Sequence, residues 1–175
     1  PDIDCGIRYG DGTWPGVNVS LIGGQEYQPV CSPLIRDRVK NPADLAHVPV
    51  IADQTSMLDW PAWLKTAGLD PAMPLSGPVY SDASLAFDAA ISGQGILLAA
   101  DMMTADAVSD GRLIRPFDLP VTGKRGYFLA TAKGRREPKK LGFFRDWLAA
   151  EVPASVLGYV HQNVPNTATL APFSK

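Results

Sequence analysis

The sequence contains few of the residues that form metal centres, disulfide frameworks or membrane spans. Its 175 residues include two cysteines, Cys5 and Cys31, and two histidines, His47 and His161. Neither histidine has another His or Cys at ligand spacing, and two cysteines form neither a disulfide framework nor a zinc site. No run reaches the roughly 18 apolar residues of a membrane-spanning helix. We therefore expect ordinary structural or surface histidines, no metal, no cofactor and no membrane span.

The sequence also lacks a translation start and a strong charge bias. It begins with Pro1 and not with Met, and no basic and apolar leader follows, which predicts a fragment or a processed form and no signal peptide. Sixteen basic and 18 acidic residues give a formal charge of −2, which argues against a nucleic-acid binder as a whole. Residues 124–145 nevertheless hold eight bases beside one acid, Glu137. Contact with DNA or an acidic partner is one interpretation of this segment, and a solvated turn before a helix is the favoured one.

Glutamate is scarce, whereas turn-forming residues are plentiful. Only three acidic residues are Glu and 15 are Asp, and there are 16 glycines and 16 prolines. These residues favour caps and turns, so we expect many short elements. Predicted strands or extended segments cover residues 3–9, 17–22, 27–30, 48–52, 77–80, 96–100, 113–114 and 127–130. Predicted helices cover residues 42–46, 59–67, 83–92, 101–109 and 139–151.

The helix start after residues 77–80 is the most informative local feature. The order strand, helix, strand over residues 77–100 predicts a parallel βαβ unit and an α/β fold. Ser81 or Asp82 caps the helix, whose free N–H groups and positive dipole end favour an anion. An Asp at the cap competes with such an anion, so a helix capped by its own side chain is an equal interpretation. Asp82 could instead bind an amino group of a ligand.

Motifs of known catalytic sites are missing. There is no Gly-x-Ser-x-Gly elbow around Ser81 or Ser84. The glycine-rich segments 10–12 and 93–95 lack the Gly-Lys-Ser/Thr of a phosphate loop and are interpreted as turns. Asp2 and Asp4 alternate on a strand, but nothing else indicates a paired-carboxylate site. The residues therefore do not indicate an enzyme.

A series of short motifs, in order along the chain, resembles the LysR-type transcriptional regulators. Residues 3–16 (IDCGIRYGDGTWPG) resemble a signature of this family, and residues 29–33 (PVCSP) resemble the next one. The later matches are residues 41–51 (NPADLAHVPVI), 59–68 (DWPAWLKTAG), 85–98, 111–117 (GRLIRPF), Tyr127 and 144–148 (FRDWL). The subgroup with the greatest resemblance includes the glycine-cleavage activator and the β-lactamase regulator.

The resemblance implies an α/β fold of the periplasmic-binding-protein type II kind, with two Rossmann-like lobes and crossing strands. Residues 1–27 would be a remnant of the first lobe and residues 28–125 the second lobe. Residues 126–152 would return to the first lobe with the C-terminal helix, and residues 153–175 would form an irregular tail. The family's winged helix-turn-helix, linker helix and first strand–helix–strand have no counterpart here, so we expect the first lobe to be incomplete.

The resemblance also implies a function and a set of binding residues. The domain would sense a small-molecule effector, anionic or amino-acid-like, between its lobes and would have no enzymatic activity. DNA would be bound only through the helix-turn-helix of the parent protein, a cytoplasmic homodimer or tetramer. The effector-binding residues would be Arg8, Tyr9, Cys31, Asp53, Trp60, Tyr80, Ser81, Asp82 and Tyr127, although a structural ion pair is favoured for Arg8. The alternatives are a solute-binding protein of a transporter and a small α/β enzyme.

Overall fold

Strands and helices alternate along the chain in the computed structural model, which describes residues 3–152 and 168–169. The strands are β1 (Cys5–Gly10), β2 (Val17–Val30), β3 (Val50–Asp53), β4 (Val79–Tyr80), β5 (Ile96–Ala100), β6 (Val121–Ala132) and β7 (Ala168–Thr169). The α-helices are α1 (Trp60–Thr66), α2 (Ala83–Ile91), α3 (Asp101–Ser109) and α4 (Lys139–Glu151). Two 3-10 helices cover Pro33–Arg38 and Pro42–Ala46. Within the described residues, no helix has the length and apolar character needed to cross a membrane.

The described residues form two compact units. Unit 1 comprises the chain up to Gln25 and from Lys124 onward, and unit 2 comprises Glu26–Gly123. Strands β2 and β6 contribute residues to both units, so the chain passes from one unit to the other within continuous strands. The tail predicted to be irregular lies outside the described residues, apart from the two residues of β7.

Unit 1 is built on β6, which lies between β1 and the first part of β2. Strands β1 and β6 are antiparallel, and helix α4 contributes Leu148 to a core with Ile22 and Leu129. The predicted break at Gly23 and Gly24 is wrong, because both residues lie within β2. A Cβ on Gly126 of β6 would lie 2.7 Å from the Gly23 carbonyl oxygen, so glycine is required there by the close approach of two backbones.

Unit 2 is a mixed sheet with β5 at its centre. Strand β2 runs antiparallel to β5 on one side, and β3 runs parallel to β5 on the other. Strand β4 is parallel to β3, so the predicted strand–helix–strand unit has β3 inserted between its two strands. One face of the sheet is covered by a core around Trp63 and Leu64 of α1. The other face packs against alanines of α2 and α3, which allow these helices to approach closely.

Two local elements differ from the expectation. The predicted strand at residues 113–114 is reduced to a single antiparallel bridge between Ile114 and Cys31. The 3-10 helix Pro33–Arg38 was not predicted, although Ser32 caps it by accepting a hydrogen bond from the Leu34 N–H. Its Pro at the first position is a helix-start signal that the sequence does contain.

Candidate functional site

Polar residues collect at one edge of the unit 2 sheet. The parallel strands β3, β4 and β5 end there at Asp53, Tyr80 and Ala100, and the antiparallel strand β2 enters unit 2 at the same edge. Helix α2 begins shortly after β4, and α3 begins directly after β5. The carboxyl edge of parallel strands is the usual place for ligands in open α/β sheets, because loops and helix N-termini meet there. This edge is called the carboxyl edge below.

Several side chains at the carboxyl edge point to the same face of the sheet. Val30, Ile51 and Leu97 belong to the core under α2 and α3. Side chains alternate along a strand, so the residues two positions nearer the edge share that face. These are Gln28, Asp53 and Ala99. In the sheet register, Gln28 is paired with Ala99, and Asp53 is paired with Tyr80. The sheet register therefore brings residues of four strands together.

Asp53 and Tyr80 are two of the predicted site residues that the structure places side by side. Asp53 accepts hydrogen bonds at Oδ1 from the N–H and the hydroxyl of Thr55, at 2.8 and 2.7 Å. The Tyr80 hydroxyl donates to Oε1 of Gln94 at 2.8 Å. Both side chains are half-buried, so they are fixed by neighbours and are still reachable by a ligand.

Ser81 and Asp82 follow directly at the start of α2, and both are exposed. Asp82 caps the helix by accepting hydrogen bonds from the N–H of Ser84, at 2.8 Å, and from the Ser84 hydroxyl. The Ser84 hydroxyl and then its N–H hold the pKa of Asp82 below its ordinary value. The helix is thus capped by its own carboxylate, which occupies the position where an external anion would otherwise bind.

Cys31 and Trp60 lie in the core of unit 2. Cys31 is fully buried, and this burial raises the pKa of its thiol to about 11. Trp60 is 8% exposed and its indole N–H donates to the Ile51 carbonyl oxygen at 3.2 Å. The prediction that these two side chains contact an effector gains no support, because apolar packing already encloses them.

The remaining predicted residues belong to unit 1. Tyr9 and Tyr127 are opposite each other on β1 and β6, with ring centroids 4.9 Å apart. Gln25 joins them, since its Oε1 accepts from the Tyr9 hydroxyl at 2.9 Å and its amide N donates to the Tyr127 oxygen at 3.4 Å. Arg8 is exposed and lies over the Trp14 ring, 5.6 Å from the centroid. The sequence favoured a structural ion pair for Arg8, whereas the structure shows this cation–π contact.

Four residues at the carboxyl edge were missed by the sequence reasoning: Glu26, Gln28, Asp101 and Arg115. Gln28 donates from its amide N to Oδ2 of Asp101 at 3.5 Å, and Arg115 Nη2 lies 3.4 Å from Oδ1 of Asp101. Burial raises the pKa of Asp101, an effect that Arg115 opposes. Burial and the negative charge of Asp101 raise the pKa of Glu26. The sequence did contain signals for two of these residues, because Asp101 directly follows an apolar strand and Gln28 is a polar residue within a strand.

The carboxyl edge offers hydrogen-bonding groups to a ligand. Within residues 3–152 and 168–169, no three His, Cys, Asp or Glu side chains form a group that could hold a metal ion. The half-buried and exposed groups of the edge are hydroxyls and carboxylates on strand ends and helix starts. In the basic segment, Arg145 and Lys140 belong to α4 and are paired with Glu137 at 2.8 Å and with Asp4 at 2.6 Å. The turn favoured for this segment covers only residues 133–138, because residues 124–132 lie in β6.

The chain is similar to transcriptional regulators in sequence and in fold. Residues 1–153 match the LysR substrate binding domain model. The glycine cleavage system transcriptional activator of Escherichia coli (strain K12) is 34% identical over 156 residues, which are 87% of this chain and 51% of that protein. The transcriptional activator AmpR of Rhodobacter capsulatus is 31% identical over 149 residues, or 85% and 50% of the two chains. The chain thus spans about half the length of these relatives.

A solved structure of an effector domain has a fold similar to that of this chain. The effector domain of AmpR from Pseudomonas aeruginosa superimposes with a TM-score of 0.70 at 27% identity, over 90% of this chain and 76% of that domain. The fold is therefore the periplasmic-binding-protein type II-like α/β fold of these effector domains. The similar proteins are transcriptional regulators, which does not favour the alternative of a transporter's solute-binding protein. The chain belongs to the LysR substrate-binding domain family.

Proposed function

We propose that this chain is the effector-sensing domain of a LysR-type transcriptional regulator and that the carboxyl edge of unit 2 binds the effector. The observation that carries the proposal is the convergence of half-buried Asp53 and Tyr80 with exposed Ser81 and Asp82 at the ends of parallel strands. The effector is a small anionic or amino-acid-like molecule. Tyr9, Tyr127 and Arg8 of unit 1 are proposed to complete the binding residues, and the two units are proposed to be the two lobes.

The proposed mechanism is a shift between two arrangements of the regulator. An effector that binds one arrangement more tightly increases its population, and the coupling free energy is the difference between the two affinities. DNA is contacted only through an N-terminal helix-turn-helix of the parent protein, which acts as a homodimer or tetramer in the cytoplasm. No bond of the effector is made or broken, so the domain is not an enzyme.

A ligand screen tests this function. The chain is titrated with amino acids, small carboxylates and cell-wall fragments while its unfolding temperature is measured, because a ligand that binds only the folded state raises that temperature. Asp53→Asn and Tyr80→Phe should weaken the binding of any ligand found. Asp88→Asn, an exposed carboxylate on α2, is the matched control and should bind as the original chain does.

The parent regulator provides the second readout. Ser81→Ala and Asp82→Ala should reduce the response of a reporter gene to the same ligand. If no ligand of the screen binds and both variants regulate normally, the assignment of the carboxyl edge as the effector site is wrong.

A further inference from the structure

Two oxygen atoms at the carboxyl edge are buried without a hydrogen bond. They are Oε1 of Gln28 and Oδ1 of Asp101. The Gln28 side chain is 6% exposed, and its amide N donates to the other carboxylate oxygen of Asp101, so the amide is directed at this carboxylate. A buried acceptor that lacks a donor is costly, and such groups in folded proteins are usually satisfied by a ligand or an ordered water.

The strand geometry places a second carboxylate in the same cluster. Tyr27 and Ala100 are the last paired residues at this end of β2 and β5. Glu26 of β2 and Asp101, the first residue of α3, directly adjoin this pair along the chain. Glu26 lies two residues from Gln28 and therefore on the same face. The raised pKa of Glu26, caused in part by the charge of Asp101, agrees with this proximity. Glu26, Gln28 and Asp101 are called the acceptor cluster below.

The charges of the acceptor cluster do not balance. Glu26 and Asp101 supply two carboxylates, and Arg115 supplies one guanidinium at 3.4 Å from Asp101. One negative charge is therefore in excess when both carboxylates are ionised. A ligand that brings one positive charge and an N–H donor would balance this charge and satisfy the free Oε1 of Gln28.

We infer that the acceptor cluster binds an ammonium or another compact cationic N–H group. This inference rests on the proposed function and assigns an amino group to the effector, so that neutral or purely anionic molecules are disfavoured. The cluster lies on the same face of the sheet as Asp53, and the carboxylate of Asp82 caps the neighbouring α2. Asp53 and Asp82 thus add two further carboxylates to the carboxyl edge.

The test uses the full 175-residue chain and two pairs of matched probes. Glycinamide and glycine carry an ammonium group, whereas glycolamide and glycolate replace it with a hydroxyl. Binding is measured by calorimetry and by the side-chain amide signals of Gln28 in NMR spectra. We expect the ammonium member of each pair to bind at least about tenfold more tightly, as for a charge-assisted hydrogen bond in a buried site, and to shift the Gln28 signals.

Two variants locate the effect. Asp101→Asn keeps the shape of the side chain and removes its charge, so it should weaken glycinamide binding at least about tenfold. Asp106→Asn, an exposed carboxylate on the same helix, should leave glycinamide binding unchanged. The comparison of probes on the original chain remains decisive even if Asp101→Asn fails to fold.

The outcomes separate this inference from the proposed function. Equal binding of glycine and glycolate, or unchanged glycinamide binding in folded Asp101→Asn, overturns the inference and leaves the sensing function in place. The inference is also overturned if glycinamide does not bind while an anionic or neutral molecule of the screen does. It is overturned as well if a crystal structure grown with glycinamide shows only an ordered water on Oε1 of Gln28 and Oδ1 of Asp101. If neither the probes nor any molecule of the screen binds, both the inference and the proposed function are wrong.

Discussion

Replacing Trp63 with Ala tests how far the packing of α1 stabilises unit 2, which carries the carboxyl edge. Trp63 is fully buried, its ring stacks on Phe117 with centroids 5.5 Å apart, and its indole N–H donates to the Leu119 carbonyl oxygen at 3.0 Å. Truncation of a buried Trp to Ala costs about 3–5 kcal/mol, because packing is lost and a cavity remains. Since domains are stable by about 5–15 kcal/mol, this single change removes a large part of the free energy of unfolding.

A second variant separates the hydrogen bond from the ring. Trp63→Phe keeps an aromatic ring but leaves the Leu119 carbonyl without its donor, so we expect a smaller loss of about 1–3 kcal/mol. Trp147→Ala is the matched control on α4, where the indole is 55% exposed and stacks only on Phe144. This change should cost less than about 1 kcal/mol.

The assay is urea unfolding followed by far-UV circular dichroism, with the free energy of unfolding taken from the linear dependence on urea. The expected order of destabilisation is Trp63→Ala, then Trp63→Phe, then Trp147→Ala. If Trp63→Ala costs no more than Trp147→Ala, Trp63 is not the centre of the unit 2 core and the packing described for α1 is incorrect.

Three further predictions follow from close contacts, burial and charge. Gly77→Ala should destabilise the chain by about 1–3 kcal/mol in urea unfolding, since its Cβ would lie 2.2 Å from the Val50 carbonyl oxygen; a loss near zero would contradict this contact. Cys31 should resist a thiol reagent at neutral pH, because burial raises the pKa of its thiol to about 11. Half-buried Cys5 should react, and two reactive thiols before unfolding would refute the burial of Cys31. Burial raises the pKa of Asp101, so the stability that this group contributes is present at acidic pH and is lost as the pH rises through the raised value. Asp101→Asn should therefore gain stability relative to the original chain as the pH rises above about 4, the ordinary pKa of Asp. A pH-independent difference in the free energy of unfolding would show that the pKa of Asp101 is ordinary.

The helices and most strands could be predicted from the sequence because their signals are local. Asp59 and Pro61 mark the start of α1, and the Asp82 cap marks the start of α2. The apolar periodicity of α4 marks the span of that helix. The continuity of β2 could not be predicted, since Gly23 and Gly24 are turn-forming residues by local preference. Only the close passage of the β6 backbone, a contact between residues about one hundred positions apart, explains why glycine stands within this strand.

The candidate site was predicted in part for the same reason. The motif resemblance identified Asp53 and the segment of Tyr80 and Asp82, which are adjacent to helix and strand ends and remain proposed binding residues. It also named Cys31, whose burial depends on packing that no local pattern reveals. Gln28 and Asp101 were missed because their proximity arises from the antiparallel register of β2 and β5, which the sequence alone does not specify.

The assignment of the effector site is tested most directly by an NMR titration of the isotope-labelled chain with a molecule that binds in the ligand screen. The backbone amide shifts should concentrate at the carboxyl edge of unit 2, around Asp53, Ser81 and Asp101. Shifts confined to other parts of the chain, such as the basic turn before α4, would contradict the assignment of this edge as the effector site.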